Sequence, residues 1–557
     1  MKKTIIVIFT CAIIASAITP DALNHNPDNI FYANPWMGEI KLRANKGSIL
    51  EAYVLHADKR TKMNLSFQEN KYDYFTADIG RFDSNLVYQI LVRDANDSLI
   101  LPQNGKFRCI QPIFSVPEWT YGKIYYSIFP DGFFNSRKTN DPDGVVTWGR
   151  TADKEYFYGG DLAGIIEKLP YLDSLDFDVL FLQPIISANS NHKYNPGDYA
   201  MLDPGFGDTT ELKTLISEIH KAKKRIVLKF IATHTGYNFP AFSDIVKNGT
   251  TSKYYSWYLI NTLPIKTSPP TYECWLEDGR FPRLNLKDML LRAYLIGYID
   301  YWLHFGFDGV YIGEDPKIEA DFVRDLKNTL RKKYPGMIVS GCSDNVGVNG
   351  FDATVNRKIS ELVVKYFVKN TIATSDFDIE LRRILFYTPA QVNLANLIDL
   401  SDFEKRITSL TDMNNLLLIY AFIFTFCGSP VITYGDEIGM TEGRLFNMGS
   451  FPWEAQKQNR NLLEEIKKLI IIRKTNPLLN NKYFYTLYVN DINQVYAYDR
   501  GGIITIINSG INQTYTVLPV WNGTYTDLTT GDKIIITTQQ LRLSIPGKTF
   551  KIIRREF

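Results

Sequence analysis

Hydrophobic and polar positions change their period twice along this chain. From about Asp21 to Pro112, apolar and polar residues alternate in short runs such as Glu39-Ile-Lys-Leu-Arg43 and Val87-Tyr-Gln-Ile-Leu-Val92. Turn-forming clusters at Asn96-Asp97-Ser98 and from Pro102 to Gly105 separate them. A period of two bounded by turn residues predicts short strands, here an Ig-like β-sandwich. A domain boundary is expected near Ser115-Val-Pro-Glu-Trp119.

From Gly122 to about Pro477, short apolar runs alternate with longer stretches of helical period. Val179-Leu-Phe-Leu182, Arg225-Ile-Val-Leu-Lys-Phe230 and Gly336-Met-Ile-Val-Ser340 read as buried strands, with helices predicted over Thr210 to Lys224 and Ile318 to Lys333. This alternation predicts an α/β fold built on a (β/α)8 TIM barrel with insertions. An open doubly wound sheet is the rival, but no GxGxxG turn follows the first strand. Beyond Lys482 the short alternating runs return in Val495-Tyr-Ala-Tyr498, Ile503-Ile-Thr-Ile-Ile507 and Lys533-Ile-Ile-Ile-Thr537, predicting an antiparallel β domain. The expected domains are 21–115, 116–480 and 481–557.

Composition narrows the picture. A chain of 557 residues exceeds a single ordinary core. A formal charge of +2, with no basic stripe, argues against a nucleic-acid partner. Tyr and Phe, 34 of each, suit sugar-stacking surfaces and ordinary packing equally well. Residues 1–17 read as a signal peptide: Lys2-Lys3, an apolar stretch from Thr4 to Ile14, then Ala15-Ser16-Ala17. The protein is therefore expected to be secreted or periplasmic. No later run is long enough for a membrane span. Cys109, Cys274, Cys342 and Cys427 have neither metal-site nor disulfide-framework spacing.

The motifs carry more. Phe157-Tyr-Gly-Gly-Asp-Leu-Ala-Gly-Ile165, His192-Lys-Tyr-Asn-Pro-Gly-Asp-Tyr199, Asp203-Pro-Gly-Phe-Gly-Asp-Thr-Thr210 and Gly428-Ser-Pro-Val-Ile-Thr-Tyr-Gly-Asp-Glu-Ile-Gly439 resemble segments of the α-amylase family of glycoside hydrolases (family 13). Phe281-Pro-Arg-Leu-Asn285 is similar to the MPKLN segment of its neopullulanase and cyclomaltodextrinase branch, which also carries an N-terminal β-sandwich. The resemblance implies carbohydrate metabolism, an α-glucan or oligosaccharide ligand, and a homodimer as one option. It also implies sugar contacts from Tyr194, His234, Arg283 and Asn285.

At the four strand ends where that family keeps its chemistry, this chain departs from the pattern. The third strand should bring DxxxNH, but Lys229-Phe-Ile-Ala-Thr-His234 matches only at His234. The fourth should bring an Arg and a nucleophilic Asp two residues apart. Within His304-Phe-Gly-Phe-Asp-Gly-Val-Tyr-Ile-Gly-Glu-Asp-Pro-Lys317 those positions are Tyr311 and Gly313. Cys342 stands where the fifth-strand acid/base Glu belongs, and Ser401-Asp402 where the seventh-strand His-Asp pair belongs. Asp402 is the only catalytic carboxylate retained. Thr233 replaces an Asn of the family's calcium site, so calcium is not predicted, nor is any other metal or cofactor.

Retaining glycoside hydrolysis needs two carboxyl groups about 5–5.5 Å apart. A glycine cannot form the glycosyl intermediate, and a thiol with an ordinary pKa of about 8.5 is a poor general acid. The expectation is an inactive α-amylase-like protein that binds oligosaccharide through the barrel mouth or the N-terminal sandwich. One rival is an active hydrolase or transglycosylase with displaced carboxylates, for which Glu314, Asp315 and Asp344 are the nearest sources. The other is a protein-interaction scaffold, which an exposed aromatic patch outside the barrel mouth would favour. Strand alternation directs Tyr311 and Gly313 inward and Glu314 outward, toward the helices. Lys229 is expected to pair with Asp402 or Glu314, because a buried unpaired charge is costly.

Overall fold

The computed structural model describes residues 18–556, apart from 28, 30, 35–36, 83–85, 110–115, 154, 315–316, 343–349, 401–404 and 444–448, and the side chains of 390, 391 and 394. Residues 1–17, read above as an expected signal peptide, and Asp315, Asp344 and Asp402 lie outside the described residues. The chain divides into two compact units, Met1–Ser115 and Val116–Phe557.

The first unit is a nine-stranded antiparallel arrangement around one core. Alternation builds it: in Glu39–Asn45 the apolar Ile40, Leu42 and Ala44 are buried, and in Val87–Arg93 so are Tyr88, Ile90 and Val92. The bulge between Leu65 and Phe67 shifts the register of the long strand Lys59–Gln68, a local kink of the kind that raises twist.

The second unit holds a closed barrel of eight parallel strands: Tyr125–Ile128, Val179–Leu182, Arg225–Phe230, Gly309–Ile312, Ile338–Cys342, Ala353–Val355, Leu397–Asp399 and Ser429–Thr433. The predicted barrel is the observed one, although the fifth strand starts two residues later than expected. Alternation along each strand sorts its residues between two cores. Tyr125, Val179, Phe181, Val227, Tyr311, Ile338, Cys342, Leu397 and Val431 pack in the inner cluster. Tyr126, Leu180, Ile226, Leu228, Val310, Ile312, Val339, Ile398 and Ile432 belong to the outer cluster, which the helices help to build. Helix Thr209–Lys221 shows how the covering layer is specified. Asp208 and Glu211 form a reciprocal capping box, and Leu212, Leu215, Ile216 and Ile219 make its buried stripe.

The chain ends in a six-stranded antiparallel sheet, from Tyr485–Asn490 to Thr549–Arg555, beside the pair Thr514–Pro519 and Gln540–Ile545. Buried Arg500 joins this domain to the barrel by donating to the carbonyls of Thr425, Leu479, Asn481 and Tyr483. A guanidinium presents five donors in a rigid fork, so one side chain can satisfy several helix-end carbonyls. No helix among the described residues is long and apolar enough to cross a membrane.

Candidate active site

The C-terminal ends of the barrel strands open into a pocket of about 450 Å³, lined in part by Gln183, Tyr194, Lys229, Tyr311, Glu314 and Asp399. Inward alternation places four of these. Lys229 and Tyr311 are register partners on the third and fourth strands, and Asp399 stands two residues beyond inward Leu397. Gln183 continues the same series past Phe181. The sequence reading passed over Gln183 and Asp399, yet the period of two that found Tyr311 would also have found them.

Lys229 is the centre of the site. It is 5% exposed, and its ammonium forms an ion pair with Glu314, itself 8% exposed. The amine also donates to Gln183 Oε1 (3.0 Å) and the Tyr194 hydroxyl (3.3 Å). Three aromatic rings surround it, with centroids 5.7 Å away at Phe181, 5.2 Å at Tyr194 and 5.3 Å at Tyr311. Burial works against the charged amine, but the Glu314 carboxylate and the Tyr194 hydroxyl outweigh it and hold the pKa above its ordinary value. Ring faces carry negative potential, so the cage further favours the cation. Burial pushes the Tyr311 hydroxyl well above its usual range, so it stays a phenol and is no latent nucleophile.

Glu314 corrects the sequence reading. Alternation directed it outward, but it lines the barrel mouth. The reason lies one residue earlier. The strand stops at Ile312, and Gly313 takes φ +57°, a left-handed conformation outside any strand period. Its N–H still donates to the Phe230 carbonyl (2.9 Å), which anchors the turn that carries Glu314 inward. Of the two partners expected for Lys229, Glu314 is the one seen. Asp402 is not described.

The other family-implied residues separate. Tyr194 lines the pocket, its hydroxyl donating to Gln183 Oε1 (3.2 Å). His234 does not line it. The imidazole is fully buried and stacks on Trp275 at 4.6 Å and 11°; Nε2–H donates to the Tyr194 carbonyl (2.9 Å) and Nδ1 accepts from the Thr233 hydroxyl (3.1 Å). It therefore braces the loop bearing Tyr194. Arg283 and Asn285 are likewise absent from the pocket wall: Arg283 pairs with Glu273 (3.4 Å), and Asn285 donates to the Ser256 carbonyl (2.9 Å). Arg283 also forms an isolated bridge with His234, which ties its loop to the residues that follow the third strand. Cys342 ends the fifth strand in the inner core. The Thr233 hydroxyl, at the position of the Asn that the resemblance implies for calcium, is engaged with His234, and among the described residues no group of three or more His, Cys, Asp or Glu side chains is placed to hold a metal ion.

Burial pushes the His234 imidazole down to about 3. In the unfolded chain it titrates near 6.5. The unfolded state therefore takes up this proton first, and the stability it protects is complete above pH 6.5 and lost as pH falls toward 3. At pH 5 the difference is about 2 kcal/mol. His234→Gln should therefore lose less unfolding free energy than the parent between pH 7 and pH 5, by about that amount, in denaturant titrations at both pH values. Equal losses in the two proteins would refute this account of His234.

Residues 127–322 match the family described as alpha amylase, catalytic domain. The cyclomaltodextrinase of Thermoanaerobacter pseudethanolicus is 31% identical over 543 residues, covering 88% of this chain and 93% of that one. The maltogenic alpha-amylase of Bacillus acidopullulyticus is 30% identical over 596 residues, covering 96% and 99%. A solved cyclomaltodextrinase structure superposes with a TM-score of 0.86 at 26% identity, covering 96% of this chain and 100% of that one. The barrel, its flanking β domains and these similarities agree: the chain belongs to the α-amylase family, among relatives of the cyclomaltodextrinase, neopullulanase and maltogenic amylase group.

Proposed function

We propose that this member of an α-glucan hydrolase family does not run the retaining reaction and uses its barrel mouth to hold an oligosaccharide. One observation carries the reading. Where the family resemblance implies a nucleophile and its supporting charges, the chain has Gly313, Tyr311 and a caged Lys229 paired with Glu314. A carboxylate held in an ion pair with a buried ammonium is poorly placed to attack an anomeric carbon. What remains suits binding: a 450 Å³ pocket, the Tyr194 ring, and polar groups fixed by neighbours.

A specific observation also favours a second reading. Glu314 and Asp399 are two carboxylates lining one pocket, and the relatives above bear the names cyclomaltodextrinase and maltogenic alpha-amylase. Displaced carboxylates would then do the work, in hydrolysis or transglycosylation. Calorimetric titration of the full chain with maltoheptaose and β-cyclodextrin tests the first reading. Binding without product is expected, and Tyr194→Ala should weaken the barrel-mouth component roughly tenfold, the scale of one aromatic contact. Tyr194→Ala binding both sugars as the parent does would remove the barrel mouth as the ligand site.

A further inference from the structure

A second pocket, of about 660 Å³, opens in the C-terminal β domain. Three aromatic side chains at its edge are left to water: Tyr483 is 47% exposed, Tyr485 57% and Trp521 69%. A domain folding only for itself would have little reason to group them, because each keeps apolar area in contact with solvent. The grouping is a product of the fold. Tyr483 and Tyr485 lead into the edge strand Tyr485–Asn490, whereas Trp521 lies on the turn between strands Thr514–Pro519 and Gly523–Asp527. The two tyrosine rings lie nearly parallel, at 16° with centroids 6.2 Å apart, and so present a flat apolar step.

The polar rim is equally specific. Asp499 accepts from the Gly502 N–H (2.7 Å), and Arg555 Nη2 donates to the Asn522 carbonyl (3.3 Å). Each is held in place by backbone while still lining the pocket, and Gln539 adds an amide. One carboxylate, one guanidinium and one amide beside ring faces match a neutral ligand with many hydroxyls and flat C–H faces. They do not match an anion, which would need unopposed cations. Exposed rings outside the barrel mouth are the feature named above for a protein-interaction scaffold, but these rings border a concavity instead of a flat face, which suits a small ligand. A concavity of this volume falls in the range of about 300–1,000 Å³ occupied by small ligands.

We propose that this pocket is a second oligosaccharide site, taking two or three units of an α-glucan with a sugar face stacked on Tyr485 or Trp521. This site does not depend on the barrel mouth being a binding site. Where the mouth also binds, the two points together make binding of long chains exceed that of short ones through effective concentration alone.

The test is calorimetry of the full chain with maltoheptaose, using Trp521→Ala, Tyr485→Ala, Tyr194→Ala and the Tyr194→Ala/Trp521→Ala pair. Trp521 and Tyr485 are exposed, so their removal leaves the core intact. Tyr194→Ala is expected to keep maltoheptaose binding, and adding Trp521→Ala to lower its affinity at least tenfold, with Tyr485→Ala acting in the same direction. Trp521→Ala abolishing binding that Tyr194→Ala leaves untouched would uphold this site and remove the barrel-mouth reading. Tyr194→Ala abolishing all binding, or the paired variant binding as Tyr194→Ala does, would overturn this site. So would sedimentation showing that Trp521→Ala dissociates a dimer of the parent, which would assign the rings to a second copy of the chain.

Discussion

Glu314→Ala is expected to lower unfolding free energy by about 3–5 kcal/mol, the usual cost of stranding a buried charge. Among the described contacts, the Lys229 ammonium keeps the Gln183 carbonyl, the Tyr194 hydroxyl and three ring faces when Glu314 is gone, and none of these carries a full negative charge. Lys229→Met should be costly for the mirror reason, leaving a carboxylate in the same enclosure. The double variant Lys229→Met/Glu314→Leu is the discriminating one. Apolar groups of similar volume in place of both charges should return stability to within about 1 kcal/mol of the parent or above it. A double-mutant cycle read by denaturant titration gives the coupling directly. A Glu314→Ala protein as stable as its parent would mean that water reaches the pair, and the account of a buried ion pair would fail.

Incubated with pullulan, cyclodextrin or starch, the protein is expected to release reducing ends no faster than buffer alone. Residues of a catalytic unit act together, and losing the key member costs on the order of 10⁶ in rate. Here the positions of both nucleophile and acid are changed. Gly313→Asp with Cys342→Glu should also stay at the buffer rate, because Lys229 and Glu314 still occupy the mouth. Residue 313 also adopts φ +57°, and a Cβ there would lie 3.1 Å from Thr233 Oγ1. The left-handed conformation alone costs about 1–2 kcal/mol for a residue with a side chain, so that variant should be less stable as well as inactive. Turnover in the parent that disappears in Glu314→Gln would establish the displaced-carboxylate reading.

Much of this arrangement was legible before any coordinates. A period of two, interrupted by helical stretches, predicted the barrel and its two β flanks. It also directed Tyr311 inward and could have directed Gln183 and Asp399 there, because side-chain direction in a strand is a local property of its own backbone. The motif departures at Lys229, Gly313 and Cys342 were equally plain, since they need only the identity of a residue at a strand end.

Glu314, His234 and the C-terminal rings were decided elsewhere. Glu314 turns inward because Gly313 leaves the strand at positive φ, and where a chain leaves a strand depends on the neighbour it hydrogen-bonds, here the Phe230 carbonyl. His234 became a brace only when a loop brought Trp275 against its ring. Tyr483, Tyr485 and Trp521 share a pocket because sheet pairing, which links distant segments, brings their turns to one end of the domain. Periodicity reports which way a side chain faces; only closure of the chain on itself decides what it faces.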